Sequence, residues 1–77
     1  MRPLNSVPWE DLQVGDKLVS ATNLDGEIVS LDDRDPTDPD RRYISMRWNG
    51  VKYVSINRHY ILDLVMYIGR DIAPHHV

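Results

Sequence analysis

Apolar and polar residues alternate in short runs along most of this chain, and the period is that of strands. Ser6 to Leu12 opens with Pro8 before Trp9-Glu10-Asp11-Leu12. Proline suits the first position of a helical turn, where its missing N–H costs nothing. A turn at Val14-Gly15-Asp16 precedes a predicted strand, Lys17 to Thr22. Asn23-Leu24-Asp25-Gly26 has the Asn and Gly placement of a type I turn, and a second strand follows from Glu27 to Leu31. Asp32 to Asp40 holds Pro36 and Pro39, which lack donors and hold the residues before them extended. That stretch reads as an exposed acidic loop.

The plainest local signal is Tyr43 to Trp48 and Val51 to Ile56 flanking Asn49-Gly50. Asn-Gly accepts positive φ at both positions, so the pattern predicts a two-residue hairpin turn. Trp48 then faces Val51, Arg47 faces Lys52, Met46 faces Tyr53 and Ile44 faces Ser55. The face to bury carries Ile44, Met46, Trp48, Val51 and Tyr53. Asn57 to Ile61 suits one helical turn. Leu62 to Ile68 alternates as a last strand, ended by Gly69.

The expected fold is all-β: five short strands in a partly open barrel, with a short helical turn before the last strand. Strands with apolar residues on both sides fit bent strands that change face midway. The organisation is a lead with a short helical turn (1–12), a barrel (13–69) with its acidic loop (32–40), and a flexible tail (70–77).

Length and composition bound the rest. A chain of 77 residues has room for one core. No apolar run approaches the roughly 20 residues that span a bilayer, and the N-terminus lacks the apolar stretch of a secretory signal. No cysteine is present, which excludes disulfides, thiolate catalysis and thiolate metal sites. A soluble, cytoplasmic protein is the expectation.

The segment Leu12 to Asp32 resembles the KOW and Tudor type of Src-homology-3-like barrel. The resemblance rests on Val14-Gly15-Asp16 before a strand, on Gly26 after a turn, and on Ile28 and Leu31. It extends loosely through His59 to Gly69. It implies a half-open five-stranded barrel with a helical turn before the last strand. In KOW-type domains it implies nucleic-acid binding, although the long acidic loop departs from a minimal KOW pattern. The compact layout is also similar to small uncharacterised bacteriophage proteins, which would place the chain in a host cytoplasm.

Charge is segregated. Seven acids and one base lie between Asp25 and Asp40, and five bases and no acid between Arg41 and Leu62. Such asymmetry points to partners. Arg47 and Lys52, read as direct neighbours on one face, repel mildly, which invites a functional reason. Tyr43 on that face, with Arg58, His59 and Tyr60 beyond, adds aromatic surface suited to phosphates and stacked bases, or to an acidic protein. The bland alternatives are a merely soluble face, or one covered by the acidic loop.

Asp33, Asp35, Asp38 and Asp40 are closely spaced, but a calcium loop counted from Asp33 would need Gly and Glu where Asp38 and Ile44 stand. No metal site is expected; the loop is solvated or contacts a protein. Trp48 is expected inside the barrel. Trp9 either closes an open end or meets a partner. His75-His76 lies in the tail. No nucleophile, carboxylate pair or phosphate loop stands out, and a deep pocket has little room, so no catalysis and no cofactor are expected.

The leading reading is a non-catalytic protein–protein recognition module, a phage-type accessory or regulatory protein. It would bind through Tyr43, Arg47, Lys52, Arg58, Tyr60, Asp33, Asp35 and Asp38. Nucleic-acid binding through the basic-aromatic hairpin and a self-associating structural subunit are the alternatives. The leading reading requires Arg47 and Lys52 on one side of the sheet.

Overall fold

The hairpin at Asn49-Gly50 does form, but it does not pair as its two-residue turn implies. The computed structural model describes residues 2–60 and 65–69. Within them six strands form one antiparallel sheet: β1 (Arg2–Pro3), β2 (Lys17–Val19), β3 (Asp25–Asp33), β4 (Arg42–Trp48), β5 (Lys52–Asn57) and β6 (Met66–Gly69). The spatial order is β1-β6-β2-β3-β4-β5. The sheet is all-β as expected, with one strand more than expected and with β1 and β5 at its two margins. It is not closed. The additional strand comes from the lead: Arg2 pairs with Tyr67 and Pro3 with Met66.

Asn49 and Gly50 have φ of 52° and 78°, and the Val51 N–H donates to the Trp48 carbonyl at 3.0 Å. The tight turn is therefore present. Val51, however, is an extra residue outside the ladder, and Lys52 is the residue opposite Trp48. Arg47 faces Tyr53, Met46 faces Val54 and Ile44 faces Ile56. A slip of one residue moves every side chain to the other face. Val51 and Tyr53, expected inside, are 76 % and 65 % exposed, while Val54 and Ile56 line up with the inner side chains of β4.

A second irregularity has the opposite outcome for β3. Ile28 faces Met46 and Ser30 faces Ser45, so Val29 is bulged. Ile28 and Leu31 are three apart and would lie on opposite faces of a regular strand. The bulge brings both inward, against Met46 and Ile44. β3 also runs to Asp33, further than the prolines suggested, and the chain beyond it turns through a 3-10 segment at Pro39–Arg41.

The core is Leu4, Val7, Leu12, Leu18, Ile28, Ile44 and Met46. Three of these seven come from the lead, whose 3-10 turns at Leu4–Ser6 and Trp9–Asp11 lay them against the sheet. Gly26 is not a turn residue but sits within β3, opposite Trp48. A Cβ there would fall 2.4 Å from the Trp48 ring, so the glycine is what lets the half-buried indole lie flat on the strand. The turn before β3 uses Ser20 instead, whose Oγ accepts from the N–H groups of Thr22 and Leu24. Asp16 is fully buried. Its carboxylate accepts from the Gln13 N–H at 2.9 Å and the Tyr67 hydroxyl at 2.8 Å, tying the first turn to β6. Among the described residues no helix is long and apolar enough to cross a membrane. The tail at 70–77, with His75-His76, lies outside the described residues.

Candidate functional site

The predicted basic-aromatic face is taken apart by the register. Arg47 is on the outer side of β4 and Lys52 begins the inner side of β5, so the two do not share a surface. Arg47 is also not free. Its Nη2 lies 2.5 Å from Glu27 Oε1, directly across the β3–β4 ladder, and Lys17 Nζ is 3.9 Å from the same oxygen. The hydrogen bond from Arg47 holds the Glu27 carboxyl below its ordinary value of 4.5, with Lys17 adding to the effect.

The other predicted residues are dispersed. Tyr43 is outside, with the Arg34 guanidinium 4.0 Å above its ring. That arginine belongs to the acidic loop, so the loop does reach back over part of this face. Tyr60, in the 3-10 turn Arg58–Tyr60, is 72 % exposed. Arg58 points toward the lead, where it donates to the Val7 carbonyl.

The acids of the loop mainly build the loop. Asp33 Oδ2 accepts from Arg42 Nε at 3.3 Å. Asp35 Oδ1 accepts from the Thr37 hydroxyl at 2.7 Å and its N–H at 3.0 Å, which lowers the Asp35 pKa in that order of effect. Asp38 caps the segment Pro39–Arg41 by accepting from the Asp40 N–H. Asp40 Oδ1 lies 2.6 Å from His59 Nε2. Among the described residues no three His, Cys, Asp or Glu side chains are grouped so as to hold a metal ion.

Two open grooves, each of about 410 Å³, mark the surface. The first lies beside the Lys17–Glu27–Arg47 cluster and is lined also by Leu18, Gly26 and Ile68. The second is lined by Asn5, Pro39, Asp40, Arg42, Arg58 and His59. Beside it Trp9 packs against the core, with the Arg42 guanidinium 5.4 Å and that of Arg58 5.9 Å from its ring centre. Burial, and after it the like charge of Arg42, push Arg58 below its ordinary range, while Glu10 opposes the shift.

Arg42 counts among the bases of the basic block and Trp9 was expected to close an open end or meet a partner, but the sequence did not bring the two together. The usable signal was the spacing of Leu4, Val7 and Leu12. It marks the lead as part of the core and so places Trp9 against the sheet. The sheet margin is the remaining feature: β5 is outermost, and among the described residues no strand pairs with its far side. Searches against models of known families, curated proteins and solved structures gave no match.

Proposed function

We propose that this chain is a non-catalytic protein-recognition module, built on a half-open Src-homology-3-like sheet, that binds an extended segment of a partner along β5. The observation that carries the reading is the margin itself. β5 is six residues long and free on one side among the described residues. It presents Tyr53 outward beside an exposed Val51. An unpaired strand offers a row of main-chain donors and acceptors, and an added strand satisfies them while side chains select the partner. What supports the Src-homology-3-like reading is the run β2 to β6, which supplies five strands with a 3-10 turn at Arg58–Tyr60 just before the last. An accessory or regulatory role of the phage type rests on a separate likeness, that of the compact layout.

Arg47 and Lys52 point to opposite sides, which removes the cationic face that both the nucleic-acid reading and protein recognition through the hairpin required; the present reading rests on the β5 margin instead. The deciding experiment is affinity capture from nuclease-treated lysate, followed by hydrogen exchange on the complex. Slowed exchange along residues 52–57, and weaker capture by a Tyr53→Lys/Ser55→Lys variant of unchanged melting temperature, are the expected results. Capture abolished by nuclease, or exchange at β5 the same with and without partner, overturns the reading. A doubled scattering mass of the isolated chain would instead mean that β5 pairs with a second copy.

A further inference from the structure

The groove between the lead and the turn after β5 has a charge arrangement that the fold alone does not account for. Arg42 and Arg58 converge on one indole, Trp9, with their guanidinium groups 5.4 and 5.9 Å from its ring centre. Cations over an indole face are attracted to it, but two of them at one ring repel each other. Arg42 shares its charge with Asp33 through Nε. Arg58 gives an Nη to the neutral Val7 carbonyl, and among the described residues it forms no ion pair with a carboxylate. Its charge is thus held in a partly desolvated place by the Val7 carbonyl and the Trp9 ring, with Glu10 acting on it without forming an ion pair, and an anion delivered to the groove would relieve the cost.

We propose that this groove, lined by Arg42, Arg58 and His59, binds the phosphate group of a small phosphorylated molecule. The proposal is independent of the β5 margin. Guanidinium forks match the oxygens of phosphate or carboxylate in pairs, and each makes two parallel hydrogen bonds. Beyond the nitrogens engaged with Asp33, Val7 and Asp40, the two Nη groups of Arg42, Nε and Nη1 of Arg58 and Nδ1 of His59 remain, a spread of nitrogens that suits the three oxygens of a phosphate monoester better than the two of a carboxylate. The volume, about 410 Å³, is an order of magnitude above the roughly 30 Å³ of one water, so an organic portion fits beside Pro39 and Asn5. Among the described residues Asp40 is the one carboxylate lining the groove, and it is engaged with His59 Nε2 at 2.6 Å.

The test is titration of the isotopically labelled full chain at constant ionic strength, first with inorganic phosphate and then with phenyl phosphate, with benzoate as the carboxylate arm. The Trp9 indole N–H and the Arg58 Nε–H are followed by nitrogen-15 NMR. Saturable shifts at these two groups are expected, with half-saturation at about 1 mM, and a Trp48 indole N–H that does not move. Tighter binding of phenyl phosphate than of inorganic phosphate identifies a monoester as the ligand class. Equal binding identifies the free ion. Arg58→Gln should weaken binding about tenfold or more, Arg58→Lys less, and Arg34→Gln not at all. Benzoate binding as tightly as phenyl phosphate, or shifts that spread over the charged surface without saturating, overturns the proposal. The wild-type titration decides this even if an Arg58 variant fails to fold.

Discussion

Deleting Val51 separates two ways of pairing β4 with β5. In the observed ladder Lys52 faces Trp48, and Val51 is a surplus residue that is 76 % exposed. Its removal leaves Asn49-Gly50 as a plain two-residue turn and keeps every later residue on its present side. The terms are small and opposed. One fewer backbone residue is ordered on folding, a gain of about 1–2 kcal/mol. The Val51 N–H bond to Trp48 is lost, worth about 0.5–1.5 kcal/mol, but the Lys52 N–H can replace it. The expected change is within about 1 kcal/mol, and hence within about 8 °C of melting temperature for a domain this size. Were Trp48 to face Val51 instead, the deletion would turn the inner side chains of β5 outward, at about 1.5–3 kcal/mol for each large apolar group. Thermal melting followed by circular dichroism distinguishes the two. A fall of more than about 8 °C, or loss of the cooperative transition, refutes the register and with it the dispersal of the basic face.

Gly26→Ala should lower stability by about 1–3 kcal/mol, because the new Cβ meets the Trp48 ring at 2.4 Å; without that contact the same change in a strand stabilises, so a melting temperature at or above wild type counts against the packing. Glu27→Gln tests the ion pair by pH. The carboxyl is held below 4.5 in the fold, so its contribution is complete above that pH and is lost as pH falls through the lowered value. The melting curves of wild type and variant should therefore converge on acidification, and a constant offset would remove Glu27 from the account. Tyr67→Phe should cost about 0.5–1.5 kcal/mol in urea denaturation by removing the hydroxyl that reaches buried Asp16, and a midpoint unchanged from wild type would show that this link contributes nothing.

Local pattern carried the strand positions well and the pairing poorly, for a physical reason. Lys17–Val19, Asp25–Asp33, Arg42–Trp48 and Lys52–Asn57 lie where alternation placed strands. Whether a residue is inside depends on register, and register here turns on two single-residue irregularities, at Val29 and Val51. Neither has a distinctive residue. A valine in a bulge looks like a valine in a ladder, and Asn-Gly is the same turn with or without a surplus residue after it. The lead failed differently. Arg2-Pro3 is too short to show a period, and its pairing with β6 joins residues more than sixty apart, which no local window can see.

The charge segregation had a meaning other than the one its asymmetry suggested. The acidic block contains β3 and the basic block contains β4, and these two strands are antiparallel neighbours. Their register sets Glu27 opposite Arg47 at one end and Asp33 opposite Arg42 at the other. Acids followed by bases in sequence are thus what a charged hairpin needs for cross-strand pairs of opposite sign. A face that looks cationic when one strand is read alone is largely neutralised by the strand beside it. The unbalanced charges are then found where the strands stop: Arg58, beyond β5, meets Arg42 at the first residue of β4. That is why the candidate anion site lies at the edge of the sheet against Trp9, and not on the hairpin where the bases are densest in sequence.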